Sequence, residues 1–158
     1  MDHPKTVGDR STLAVMLALH DAGYAVFLPF GENTRCDLVI DDGGGLARVQ
    51  CKTGRLRQGA VRFSTCSSYG HHLRPRVPRR DYVGQIDYFA VYCPETETVY
   101  LVPIEELAAT VEGALRVEAA RNGQERGIRF GARYEIARVA VTSTKRPRHE
   151  PLPSATSG

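Results

Sequence analysis

An α/β sandwich around a mixed β-sheet is the fold class that this 158-residue chain predicts. Three features point to it. Apolar residues recur at helical spacing over 10–21. Two apolar runs flank an Asp/Gly-rich turn at 41–45. A run rich in Ile, Tyr, Phe and Val over 86–93 is followed by a second at 99–102. The length suits one domain with a real core. Hydrophobic residues at 42% and charged residues at 25% fit a folded globular chain and argue against a wholly disordered one.

The elements follow in order. Residues 1–7 carry no apolar period and read as a loose arm. Asp9 stands where a cap is needed for a helix over 10–21, and Gly23 is its stop. Leu13, Met16, Leu17 and His20 form one stripe, with Ala14, Val15 and Ala18 beside it, so a well-buried helix is expected. Residues 24–28 read as a first strand. The loop 29–35 then leads into a hairpin whose first strand carries Cys36-Asp37-Leu38-Val39-Ile40 and whose second runs from Leu46 to Lys52. A short strand over 62–66 follows a turn at Gly59. Residues 67–84 form a long loop rich in Arg, Pro and His, and loops of that length are commonly functional. Strands at 86–93 and 99–102 are joined by Pro94-Glu95-Thr96-Glu97, and a short helix starts at 103. Residues 110–142 stay open between strand and helix, with 115–117 and 134–141 as the candidate pieces. From Ser143 the chain is rich in Pro, Ser and Arg, which predicts a domain over 1–142 and a disordered tail over 143–158.

Net charge is only +3, but its distribution is uneven. No Asp or Glu occurs from Gly43 to Arg80, while Arg48, Lys52, Arg55, Arg57, Arg62, Arg74, Arg76, Arg79 and Arg80 all fall there. One wholly cationic segment favours a polyanionic partner such as nucleic acid. The plainer alternative is a solvated Arg-rich loop. Cys36, Cys51, Cys66 and Cys93 form no C-x-x-C pair, so small buried hydrophobes are the expected role rather than a zinc site. No signal-peptide pattern and no apolar run long enough to span a bilayer occur, and a reducing cytoplasm fits these readings.

The chemistry gathers at the hairpin. Gln50 and Lys52 are two apart on one strand, so their side chains share a face. The turn folds Asp37 back beside them. A carboxylate, a neutral oxygen ligand and an ammonium group then meet at one strand end. Such a set holds a divalent cation against a phosphate and stabilises negative charge as a phosphodiester breaks. Taken singly, Asp37 also reads as a turn former, and Gln50 and Lys52 as polar-face residues. His71 and His72 are adjacent, which is the wrong spacing for one metal. Asp87 either supports the site from the next strand or starts that strand, and Tyr69 either stacks on a base or packs under its loop.

The order helix, strand, hairpin with Asp, and strand with x-x-Lys resembles the PD-(D/E)XK nucleases. The Gln-x-Lys variant is similar to the group I intron-associated homing endonucleases of that superfamily. The stretches that carry the resemblance are Gly23-Tyr24, Pro29 to Leu38, Val49-Gln50-Cys51-Lys52-Thr53-Gly54, and Ile86 to Pro94 through Tyr100-Leu101-Val102-Pro103. The resemblance implies a restriction-endonuclease-like core, a mixed sheet flanked by helices. It implies DNA cleavage dependent on Mg²⁺, with Mn²⁺ as a substitute. By position, Asp37 is the metal-binding carboxylate, Gln50 the second metal-proximal group, the Cys51 carbonyl a further ligand, and Lys52 the catalytic cation. The family often carries a Glu on the first helix. Here Thr12 stands in its place, which leaves Asp9 on the same helical face, or Glu32 in the loop, as supporting candidates. Arg35, Arg55, Arg57, Arg74, Arg76, Arg79 and Arg80 are the expected DNA contacts. The expected substrate is double-stranded or branched DNA, with no membrane partner, and the expected assembly is a homo-oligomer, dimer or tetramer. A Holliday-junction resolvase and an inactive DNA-binding module on the same fold are the alternatives.

Overall fold

The computed structural model describes residues 2–31, 34–66, 84–107, 111–119 and 122–136. Its first element is a helix, α1, over Pro4–Asp21. It begins six residues before the expected start. Pro4 supplies the first helical position, where a missing N–H costs nothing, and the His3 ring accepts from the Lys5 N–H at 3.3 Å. Asp9 therefore lies inside the helix and does not cap it. The end is as expected: Gly23 follows the cap residue Ala22 and takes φ +89°, a conformation costly for any residue with a Cβ.

The buried face of α1 also differs from the expected stripe. Ser11, Val15 and Leu19 are buried, while Leu13 and Leu17 are 65% and 63% exposed. Ser11 lies on the inner face because its hydroxyl meets the Thr53 hydroxyl at 2.6 Å, which removes the cost of burying it. Val15 and Leu19, one turn apart, then reach the sheet.

Five strands make that sheet, in the order β1, β2, β3, β6, β7: β1 (Ala25–Phe27), β2 (Leu38–Asp41), β3 (Leu46–Thr53), β6 (Tyr88–Cys93) and β7 (Thr98–Pro103). Neighbours run antiparallel except β3 and β6, which are parallel, so the sheet is mixed as expected. The β2–β3 turn is stabilised by its own carboxylates. Asp41 accepts from the Gly43 N–H and Asp42 from the Gly44 N–H, both at 2.8 Å.

A parallel pair needs a long crossover. This one contributes β4 (Arg55–Arg57) and β5 (Ala60–Ser64) to a second sheet, which β8 (Glu112–Arg116), from after β7, completes in the order β4, β5, β8. The chain leaves β3 for β4 at Gly54, where a Cβ would lie 2.5 Å from Val61 Cγ1 and 2.8 Å from Val91 Cγ1. Only glycine allows the two sheets to approach so closely there. β4 was not foreseen, and β5 lies two residues earlier than expected. A 3₁₀ helix over Ile104–Leu107 stands where a short helix was expected. A second 3₁₀ turn, Gly131–Arg133, precedes an isolated bridge from Glu135 to Tyr100 on β7. The tail at 143–158 and most of the loop at 67–84 lie outside the described residues.

Two cores result. Val15 and Leu19 pack with Leu38, Ile40, Val49, Ala90 and Leu101 on the helix side. Val61, Phe63 and Leu115 of the second sheet pack with Phe89, Val91 and Val102 on the other side. The restriction-endonuclease-like α/β arrangement thus has α1 on one face of the mixed sheet and, among the described residues, a β layer on the other.

Candidate active site

Strand alternation divides β3 between the two faces. Ala47 and Val49 join the helix-side core, Cys51 packs against it, and Thr53 meets Ser11. Arg48, Gln50 and Lys52 therefore face the opposite side. Asp37 immediately precedes Leu38, which points to the helix, so Asp37 also faces away from it. Hairpin register completes the placement: Leu38 stands opposite Val49, and the Asp37 N–H donates to the Val49 carbonyl at 2.9 Å.

Asp37 Oδ2 accepts two hydrogen bonds, from Gln50 Nε2 at 2.7 Å and from the Cys51 N–H at 2.8 Å. A neutral amide facing a carboxylate must offer its NH₂ group, so Gln50 Oε1 turns away from Asp37. In an extended strand the N–H and C=O of one residue project to the same side, so the Cys51 carbonyl projects toward Asp37 as well. Asp37 Oδ1, Gln50 Oε1 and the Cys51 carbonyl take no part in these two bonds and are the oxygens that could hold a cation here.

Lys52 stands on the same face, four residues from Arg48. Its Nζ donates to the Cys66 carbonyl at 2.9 Å and lies 5.9 Å from the centre of the Phe89 ring. Burial lowers the Lys52 pKa, and the charge of Asp37 opposes that shift. Burial likewise raises the Asp37 pKa, against the Cys51 N–H and the charge of Lys52. The Cys51 thiol, on the far side of the strand, is pushed up to about 12 by burial and then by Asp37, while a hydrogen bond with Thr12 opposes the rise. Cys51 is thus held as a thiol, as expected of a core cysteine, and all four cysteines are free.

The supporting candidates are not gathered here. The Thr12 hydroxyl donates to the Gly8 carbonyl at 3.1 Å and reaches Cys51, both on the helix side of the sheet. Asp9 is exposed on α1, and Glu32 lies outside the described residues. Among the described residues no three His, Cys, Asp or Glu side chains converge on one point. Of the arginines, Arg35 is partly buried just before Asp37, Arg55 lies 3.9 Å from Glu95, and Arg57 is exposed on β4. Arg74, Arg76, Arg79 and Arg80 lie outside the described residues, as do Tyr69, His71 and His72.

Asp87 is resolved as a strand-end clasp. Its carboxylate accepts from the Arg48 N–H at 2.7 Å and pairs with Arg48 Nε at 3.2 Å, and Arg48 Nη1 donates to the Gly84 carbonyl at 3.0 Å. Sequence reasoning missed Phe89 and Cys66 as the partners of Lys52. The Ile86–Cys93 run marked Phe89 as a strand residue, but only the parallel register, Gln50 opposite Phe89, brings its ring to this face.

The fold is similar to that of a bacterial homing endonuclease, I-Ssp6803I, with a TM-score of 0.63 and 22% identity over 91% of this chain and 94% of that one. No curated protein matches the chain. Among the described residues no helix is long and apolar enough to cross a membrane. The profile of the PD-(D/E)XK endonucleases matches residues 2–137, so this chain, with its Asp37, Gln50 and Lys52 at one end of the β2–β3 hairpin, belongs to the PD-(D/E)XK endonuclease family.

Proposed function

We propose that the chain is a DNA endonuclease that hydrolyses phosphodiester bonds with Mg²⁺, and with Mn²⁺ as a substitute. The observation that carries this reading is the hydrogen-bonded pair of Asp37 and Gln50, which faces the same side as Lys52. The donor chemistry fits a hard cation: one carboxylate, one amide oxygen and one carbonyl suit Mg²⁺, which keeps several waters and takes the rest of its shell from substrate phosphate. Asp37, Gln50 and the Cys51 carbonyl would hold it. When bound, such an ion polarises a phosphoryl oxygen and lowers the pKa of bound water.

The other roles belong to the protein. Asp37 supplies the anionic ligand, and the Cys51 N–H and Gln50 fix its orientation. Lys52 stabilises the charge that builds on the phosphate oxygens as the bond breaks. The Cys66 carbonyl and the Phe89 ring hold its ammonium in place. The arginines at 35, 55, 57, 74, 76, 79 and 80 bind the DNA backbone. Each phosphate contact contributes a slope of about −0.9 to log affinity against log salt. Cutting both strands needs paired sites, hence a dimer or tetramer. Four free cysteines suit action in the cytoplasm. Residues 1–142 form the catalytic domain, and 143–158 a basic tail.

The test is plasmid cleavage. Supercoiled plasmid should be nicked or linearised with Mg²⁺ or Mn²⁺, and the Asp37→Asn protein should leave it intact. Full nicking by Asp37→Asn sinks the site assignment. Faster cutting of a synthetic four-way junction than of linear duplex would move the reading to a resolvase. The single secure carboxylate favours an inactive DNA-binding module as the second reading. Plasmid binding without cleavage in either metal would establish it.

A further inference from the structure

Three large apolar side chains are exposed within four positions at the end of β1, beside the site. Phe27 closes β1 at 50% exposure, Leu28 follows at 65%, and Phe30 is fully exposed. Large apolar side chains gathered in one short stretch mark a contact surface. Register fixes where this stretch lies. Phe27 is opposite Val39, and Leu38 is opposite Val49, so the C-terminal end of β1 shares an end of the sheet with Asp37, Gln50 and Lys52. The chain that leaves β1 here returns at Asp37, so the tip is tethered beside the site at both ends. Its backbone is stiffened by Pro29 and turned by Gly31 at φ +101°.

We propose that Leu28, Pro29 and Phe30 form an apolar wedge that contacts DNA bases next to the scissile phosphate, an inference that rests on the nuclease reading above. The occupant follows from the position. Whatever covers this tip during turnover must leave Asp37 and Lys52 open to a phosphate, and the DNA carrying that phosphate meets this condition, whereas a second protein seated on the tip would crowd it. Phe, Leu and Pro are the side chains that enter a base step, partly unstack it and kink the duplex. A kink at that step turns the backbone toward the site. Arg35, in the same connection, lies between the wedge and Asp37 in sequence, where it can meet the backbone phosphates.

The chain has no tryptophan, which makes the test direct. Phe30→Trp and, as a control on the outer face of α1, Leu13→Trp each introduce a single fluorophore. Supercoiled plasmid is added to the full chain at low salt without divalent cation. Phe30→Trp should lose most of its emission by stacking on bases, and Leu13→Trp should not change. Phe30→Ala should bind plasmid about ten-fold more weakly, with an unchanged melting temperature because its ring is exposed. Equal responses from the two tryptophan variants would overturn the wedge. So would a Phe30→Ala protein that binds plasmid normally but sediments as a smaller species, which would make the tip a seat for a second copy. If the wild-type protein also binds no plasmid, the nuclease reading falls and the wedge with it. Binding and nicking by wild type with a silent Phe30→Trp removes the wedge alone.

Discussion

Two cation–carboxylate couples share one face of β3, four residues apart, and they are built in opposite ways. Arg48 and Asp87 touch directly, Nε to Oδ2 at 3.2 Å and Nη2 to Oδ1 at 3.4 Å, with the backbone N–H of Arg48 adding a third bond, and both side chains remain about 40% exposed. Asp37 and Lys52 each take other hydrogen-bond partners. Asp37 gives Oδ2 to Gln50 and the Cys51 N–H, while Lys52 turns to the Cys66 carbonyl and the Phe89 ring.

The pKa directions follow these partners. Hydrogen bonding to Arg48 holds Asp87 below the ordinary carboxylate range, whereas burial raises Asp37. For Asp87, a depressed folded pKa means stability that is present above the unfolded value, about pH 4, and lost as pH falls through the folded value. For Asp37, a raised folded pKa means stability that is present below about pH 4 and lost as pH rises through the folded value. Lys52, with a lowered folded pKa, likewise carries its charge at a cost near neutrality. The first couple therefore supports the fold, and the second is kept at some expense of stability. Burial that works against both charges is the kind of perturbation that functional sites show more often than structural ones.

The largest test of this contrast is chemical. Lys52→Ala and Asp37→Asn should each lower plasmid cleavage by about 10²-fold or more while far-UV circular dichroism stays unchanged. Urea unfolding near pH 7 should find Asp37→Asn at least as stable as wild type. A marked loss of stability there would show that Asp37 is a structural residue and would erase the contrast.

Gln50→Glu sharpens it next. A second carboxylate placed against Asp37 repels it, so the variant should melt lower than wild type in chelator, and Mg²⁺ should raise its melting temperature more than it raises that of wild type. Equal shifts in the two proteins would mean that position 50 does not face the cation.

A smaller effect is expected at the clasp. Asp87→Asn should cost about 0.5–1 kcal/mol near pH 7, because its partners are half exposed and screened by solvent. Repeating the urea titrations at falling pH should shrink that loss below about pH 4, as the wild-type carboxylate takes up its proton. A loss independent of pH would assign the effect to packing instead. Cleavage by Asp87→Asn should stay close to wild type.

Thr12→Glu should do least. Its side chain faces Cys51 and the helix side of the sheet, so Mg²⁺ dependence of cleavage should move by less than about two-fold. A large gain in cation affinity would place α1 against the site and contradict the division of β3 into two faces.

Much of the candidate site's placement was legible in the sequence because its residues are joined by a short turn. Asp37, Gln50 and Lys52 lie on adjacent strands of one hairpin. Strand alternation with the Asp41-Asp42-Gly43 turn is enough to set them side by side. The mixed sheet was legible for a similar reason, since β6 and β7 carry strong β-branched and aromatic runs. The start of α1 was misread because two weak signals competed: Asp9 is a good cap by residue type, but Pro4 begins the helix earlier. The buried face of α1 was misread because Ser11 counts as polar until Thr53 satisfies it. β4, with Arg on both sides of Leu56, has no local pattern that distinguishes it from a loop.

By itself, then, the amino-acid order determined the hairpin, the side-by-side placing of the three candidate site residues and the family to which the chain belongs, since each of these depends on neighbours close along the chain. Which side of the sheet α1 covers, what surrounds the Lys52 ammonium and where Asp87 binds were decided by the tertiary structure alone. They depend on the parallel register of β3 with β6 and on the bend at Gly54, and contacts made across such a long crossover leave no periodic trace in sequence.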